Sequence, residues 1–239
     1  MKCNRLEIFI ELDKHLEKTY REHNLQCLKE FKIDNLDAIS YYHKFISNKN
    51  KVKNFNDLEL IFDMQFISAD IKFLTGLLFI LRPLINLPSK EKGTYFQNRY
   101  DARYLTFASL AHQSVYNFWD RLGDLLYFYF NISIKEKDVY ISTVIKEFPS
   151  EYRENEYFKK LEKLYKENIK LLISERAQIV HYEYIKTKHV LGTLQNNDNQ
   201  DKLIELEKEK INYPEYFKKH LFYCNIGFEY TLKLINGAI

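Results

Sequence analysis

Within Thr94–Asn131, apolar residues recur at alternating steps of three and four: Leu105, Ala108, Val115, Trp119, Leu122, Leu126 and Tyr129, with His112 inside the series. This spacing predicts one long helix with a narrow seam along one face. Such a seam is stable only when other helices cover it. The rest of the chain supplies them. Only 6 Gly and 4 Pro interrupt 239 residues, so breakers are scarce and long helices are favoured over many short strands. The 19 Tyr and 18 Phe suit the wide spaces between helices. The expected class is all-α, a bundle of long antiparallel helices, and no segment carries a convincing strand signal.

The other helices are read in chain order. Asn4–Phe31 is expected to be amphipathic, with Leu6, Phe9, Ile10, Leu12, Leu16, Tyr20, Leu25 and Leu28 inward. Asp34 is a candidate cap for Asp34–Ser47, and Asn56 for Asn56–Leu81, which Arg82-Pro83 ends or kinks. Asn48–Asn54 is a basic loop and a candidate boundary. Lys135–Phe148 and Glu154–Ser174 follow, the latter with lysines 159, 163, 166 and 170 on a solvated face. Ser174 either caps a new helix or lies within one that runs on to Lys186. Gly192–Asp201 reads as a loop and Lys202–Lys210 as a short helix. Tyr213–Asn236 closes the chain, with Pro214 at its first turn.

Composition excludes several function classes. The amino terminus carries charges where a signal peptide needs an apolar core. The longest apolar run, Phe73–Leu81, is too short to span a bilayer. Cys3, Cys27 and Cys224 are far apart and odd in number, which fits a reducing compartment, and the expected location is cytoplasmic. None of the seven His has a carboxylate three residues before it, and no Gly-rich phosphate loop is present. No metal and no cofactor are expected. A net charge of +3 fits an anionic partner without specifying one.

Two features carry chemistry. The first is Ser174–Tyr184, SERAQIVHYEY, where Arg176 and His181 stand with four residues between them. An imidazole moves protons near neutral pH. A guanidinium holds a phosphate through two parallel hydrogen bonds and stabilises its extra charge in the transition state. Eight Arg and seven His give about 0.7 such pairs by chance at separations of this order, so spacing alone decides nothing. The second feature is a polar stripe beside the seam: Gln113, Asn117, Asp120, Arg121 and Asp124. It is either an exposed face or the lining of a polar cleft. Asp63 and Asp70, two turns apart, are either a carboxylate pair or salt-bridge partners. His112 fits a core histidine better than a ligand, and Lys186, Lys188 and His189 fit a solvated helix end better than a phosphate contact.

Together, VYNFWDRLGDLLYFYF (Val115–Phe130) and ERAQIVHYEY resemble the HEPN superfamily, the higher-eukaryote and prokaryote nucleotide-binding helical domain. The likeness is to its bacterial stand-alone branch and is best over Thr94–Lys186. There a Trp-Asp helix, here Trp119-Asp120, precedes a short helix and then an Arg-x4-His helix. The resemblance implies a single all-α domain over 1–239, with residues 1–54 an amino-terminal helical extension and 55–239 the HEPN-like core. It further implies a homodimer with the motif helices facing across a cleft, and metal-independent RNA cleavage in a toxin–antitoxin or phage-defence setting. An antitoxin or sensor protein would be a further partner, and no membrane is involved. Arg176 would bind the scissile phosphate and His181 would move the proton at the ribose 2′-hydroxyl or leaving oxygen. Asn117, Asp120 and Arg121 would be supporting polar residues.

Two positions depart from the family pattern. Ala177 stands where a polar residue, commonly Asn, often follows the motif Arg. Glu183 stands where HEPN toxins silenced by adenylylation carry Tyr, with Tyr182 and Tyr184 beside it, so that form of silencing is not expected. Five residues turn a helix by about 140°. One subunit's Arg176 and His181 therefore share no tight face, and a site completed by a second subunit relieves this. The alternatives are a catalytically silent HEPN-like module that binds RNA, a nucleotide or a protein, and an unrelated structural helical protein.

Overall fold

The structure, a computed structural model, describes residues 5–53, 55–88, 97–174 and 185–238. Eight α-helices are found among them. They are α1 (Arg5–His23), α2 (Ala38–Phe45), α3 (Asp57–Leu81), α4 (Arg99–Tyr129), α5 (Ile141–Lys146), α6 (Glu156–Leu164), α7 (Ile185–Gln195) and α8 (Gln200–Ala238). A π-helical turn, Tyr165–Ile169, and helical residues 170–174 follow α6. The fold is all-α apart from one two-residue hairpin, β1 (Lys32–Ile33) with β2 (Leu36–Asp37). The chain forms two compact units. One comprises Met1–Leu25, Ile71–His112 and Ala177–Lys219. The other comprises Gln26–Asp70, Gln113–Arg176 and His220–Ile239.

All eight seam positions of α4 are buried, His112 included. Asn98 starts this helix by accepting the Tyr100 and Asp101 amides at 2.7 and 2.9 Å.

In the first unit, α1 stops earlier than its apolar spacing predicts. Asn24 turns to φ 50°, and the Leu25 amide bonds back to the Tyr20 carbonyl at 2.9 Å. This is the Schellman ending, in which a left-handed residue closes the helix. Phe9 and Ile10 are exposed rather than inward. Gly76 of α3 meets α1 so closely that an added Cβ would stand 2.7 Å from the Tyr20 ring. Gly192 lies within α7 against Leu206, so the expected loop shrinks to the few residues before Gln200.

The two carboxy-terminal helices predicted from sequence are one continuous helix, α8, with Pro214 inside it. Proline removes the amide that would have reached the Lys210 carbonyl. That carbonyl instead accepts the Tyr104 hydroxyl at 2.7 Å, which satisfies the group the proline orphans. Tyr104→Phe is expected to lower stability by about 1–3 kcal/mol by leaving this carbonyl unpaired. Urea unfolding beside wild type would measure it, and an unchanged midpoint would refute the role.

In the second unit, Asp34 and Asn35 both have positive φ, as a two-residue type I′ hairpin loop demands. Asp34 therefore turns the hairpin. The cap of α2 is Asp37, which accepts the Ser40 amide at 2.9 Å. Asn56 caps α3 as expected, accepting the Glu59 amide at 3.4 Å while its own amide donates to the Glu59 carboxylate. The basic loop is docked rather than free. Lys49 donates to the Asn236 carbonyl at 3.0 Å, Lys51 pairs with the buried Asp57 at 2.5 Å, and Lys53 lies over the Tyr127 ring. Trp119 is fully buried, and Gly227 of α8 permits close approach to it: an added Cβ would sit 2.6 Å from the indole. Behind it Phe148 stacks on Phe158 and meets Phe130 at a tilt, with centroids 4.4 and 4.8 Å apart.

The span Asp57–Leu84, longer than the uninterrupted apolar run, could cross a bilayer by length and composition. However, 56% of its apolar window is buried within the protein, as in a core helix.

Candidate functional site

The polar stripe of α4 lines an open cleft of about 540 Å³ in the second unit. On one side α4 supplies Asn117, Asp120, Arg121 and Asp124. On the other α3 supplies Asp63, Phe66, Ile67 and Asp70, and Val139 closes one end. All three supporting polar residues expected from sequence, Asn117, Asp120 and Arg121, are thus brought together. The apolar side of α4 packs inward, so its opposite side, two residues out of phase, faces this opening.

The cleft is acidic, with four carboxylates against one guanidinium. Arg121 bonds Asp124 at 3.1 Å, and the Gln113 amide donates to Asn117 at 2.6 Å. Burial pushes the Asp124 carboxyl above its ordinary value, and Arg121 only partly reverses this. Asp63 and Asp70 are both exposed, and among the described residues neither forms an ion pair. They and Asp120 present negative charge to whatever enters. Among the described residues, no group of His, Cys, Asp and Glu is arranged to hold a metal.

Arg176 and His181 lie outside the described residues, as do Ala177 and Glu183. Their flanks are described. The Ser174 hydroxyl donates to the Leu171 carbonyl at 2.7 Å, a bond back into its own helix. Beyond the motif, Lys188 and His189 depart from a solvated helix end. Lys188 grips both oxygens of Glu209, at 2.6 and 2.8 Å. His189 is buried, its Nε2 2.8 Å from the Tyr213 hydroxyl, which itself donates to Glu209 at 2.9 Å. The single phenolic proton goes to the carboxylate, so His189 Nε2–H is the donor and its Nδ1 is bare. Sequence reasoning missed this chain because Lys188 and His189 stand 21 and 24 positions from Glu209 and Tyr213.

Burial lowers the His189 pKa to about 4. The unfolded imidazole binds a proton near pH 6.5, so between these values the unfolded chain holds more protons. The stabilisation is complete above pH 6.5 and is lost as pH falls toward 4, by about 3 kcal/mol. His189→Gln keeps a donor for Tyr213 without titrating. Its urea stability is expected to fall less than wild type's between pH 7 and pH 4, and parallel losses would refute the assignment.

Neither of the two described cysteines offers a nucleophile here. Cys27 is buried, and burial raises the Cys224 thiol well above its ordinary value. His112 is a core residue, edge-on to Phe217 at 6.4 Å.

A family model described as HEPN_Cthe2314-like HEPN matches residues 30–235, beginning inside the segment read as an amino-terminal extension. No curated protein and no solved structure matches the chain.

Proposed function

Because the chain belongs to the HEPN_Cthe2314-like HEPN family, a nucleotide-binding or ribonuclease-like group, we propose that it is a metal-independent endoribonuclease. One observation carries this reading: Arg176 and His181 fall within the matched span, in the expected order after Trp119-Asp120. In the proposed step, His181 takes the 2′-hydroxyl proton and the 2′-oxygen attacks phosphorus. The 5′-oxygen of the next nucleotide departs with a proton, leaving a 2′,3′-cyclic phosphate and a 5′-hydroxyl. Arg176 holds the non-bridging oxygens as charge builds on them. A homodimer is part of the proposal, since one subunit's motif shares no tight helix face. Asn117, Asp120 and Arg121 then act as support rather than as phosphate contacts, because a polyanion is repelled by the cleft they line. The proposed setting is cytoplasmic, in toxin–antitoxin or phage-defence systems.

The test is purified protein with a mixed RNA pool in EDTA, with product ends read and sedimentation run in parallel. Cyclic-phosphate ends from a dimer support the reading. A folded dimer that cuts nothing overturns it in favour of a silent HEPN module binding RNA, a nucleotide or a protein. The acidic cleft favours that second reading, as does the engagement of Lys49, Lys51 and Lys53 within the fold.

A further inference from the structure

We propose that the α3–α4 cleft is a docking site for a basic amphipathic segment of a protein partner. Whether the chain cleaves RNA does not enter this inference. The first observation is an unpartnered aromatic face. Phe62 and Phe66 of α3 are 41% and 68% exposed and stand one turn apart, with exposed Ala69 next at helical spacing. Phe66 both belongs to this face and lines the cleft. Large apolar groups left in water at such spacing mark an interaction surface.

Charge complementarity selects the occupant. The chain as a whole is +3, yet this cleft gathers Asp63, Asp70, Asp120 and Asp124 around one Arg that is already bonded to Asp124. A nucleic acid or an anionic lipid surface is repelled. A second copy meeting the same face across a two-fold axis would set carboxylates against carboxylates. A Lys/Arg-bearing segment gains on both counts. Asp63 and Asp70 are two turns apart on α3, about 10 Å, and an incoming helix with basic residues at that interval reaches both. Its apolar side chains then cover Phe62 and Phe66.

The experiment uses the full chain and a fluorescent Lys/Leu amphipathic peptide of about five turns, with a Glu/Leu peptide and oligouridylate as comparators. Wild type is expected to bind the Lys/Leu peptide and not the Glu/Leu peptide. Asp63→Asn with Asp70→Asn is expected to weaken binding about tenfold. Phe66→Ser is expected to weaken it about fivefold. Glu151→Gln with Glu154→Gln, a charge-matched change elsewhere on the surface, is expected to leave it unchanged. All these positions are exposed, and matching melting temperatures would establish that the variants fold. Equal weakening by the control pair overturns the proposal as general charge attraction. Competition by oligouridylate for the cleft overturns it in favour of RNA. A dimer that becomes monomeric with Phe66→Ser overturns it in favour of a second copy.

Discussion

Alanine at His181 is expected to lower RNA cleavage by about 10²–10⁴-fold, the range for removing a group that transfers a proton in the transition state. Arg176→Ala is expected to cost about 10²–10³-fold, through lost stabilisation of charge on the phosphate. Arg176→Lys separates charge from geometry. A lysine keeps the positive charge but loses the two parallel bonds, so it is expected to recover only part of the rate. RNA binding should survive His181→Ala, because the imidazole acts on a proton rather than on the phosphate charge. Single-turnover rates with the same RNA pool would check all three. Wild-type rates in both alanine variants would assign the activity to a contaminant and remove the pair from the mechanism. The two single losses, combined, should be less than additive in log rate, because residues of one catalytic unit fail together.

The α4 seam was legible because every third or fourth residue from Leu105 to Tyr129 except His112 is apolar; all these positions are buried, though the buried face is wider and takes in Ala111, Phe118 and Leu125. The cap at Asn56 and the end of α3 at Arg82-Pro83 were legible for the same local reason. Other errors have physical causes. Pro214 predicts a helix start from local rules, and only the distant Tyr104 hydroxyl lets it sit inside α8. Leu25 and Leu28 keep helical spacing by coincidence, since both are buried from beyond the Schellman turn. The Asp34-Asn35 hairpin is too short to leave a period-two pattern. Half of the cleft was visible as the stripe on α4. The other half was visible only as an isolated Asp63–Asp70 pair, because sequence does not say which helix faces which.

Asp101→Ala is expected to cost about 3–5 kcal/mol, the range for breaking a buried ion pair by removing one partner. Asp101 and Lys210 are bonded and almost wholly buried. The Lys210 ammonium also donates to the Asn86 carbonyl at 2.9 Å, and Asp101 accepts the Asn98 and Asn86 amides at 2.8 and 3.2 Å. Burial pushes the Lys210 pKa down, and the Asp101 carboxylate pulls it back. Removing the carboxylate therefore takes from the buried ammonium the counter-charge bonded to it, and also frees two backbone donors. Lys210→Met is expected to cost less, since Asp101 keeps both amides. Asp101→Ala with Lys210→Met should be milder than Asp101→Ala alone, because neither charge of the pair remains. Domains of this kind hold about 5–15 kcal/mol in total, so the single change approaches the whole margin. Urea unfolding of the three variants would decide it. If Asp101→Ala is no worse than Lys210→Met, the pair is not held as a buried charge couple, and the link from the first turn of α4 to the middle of α8 rests on packing instead.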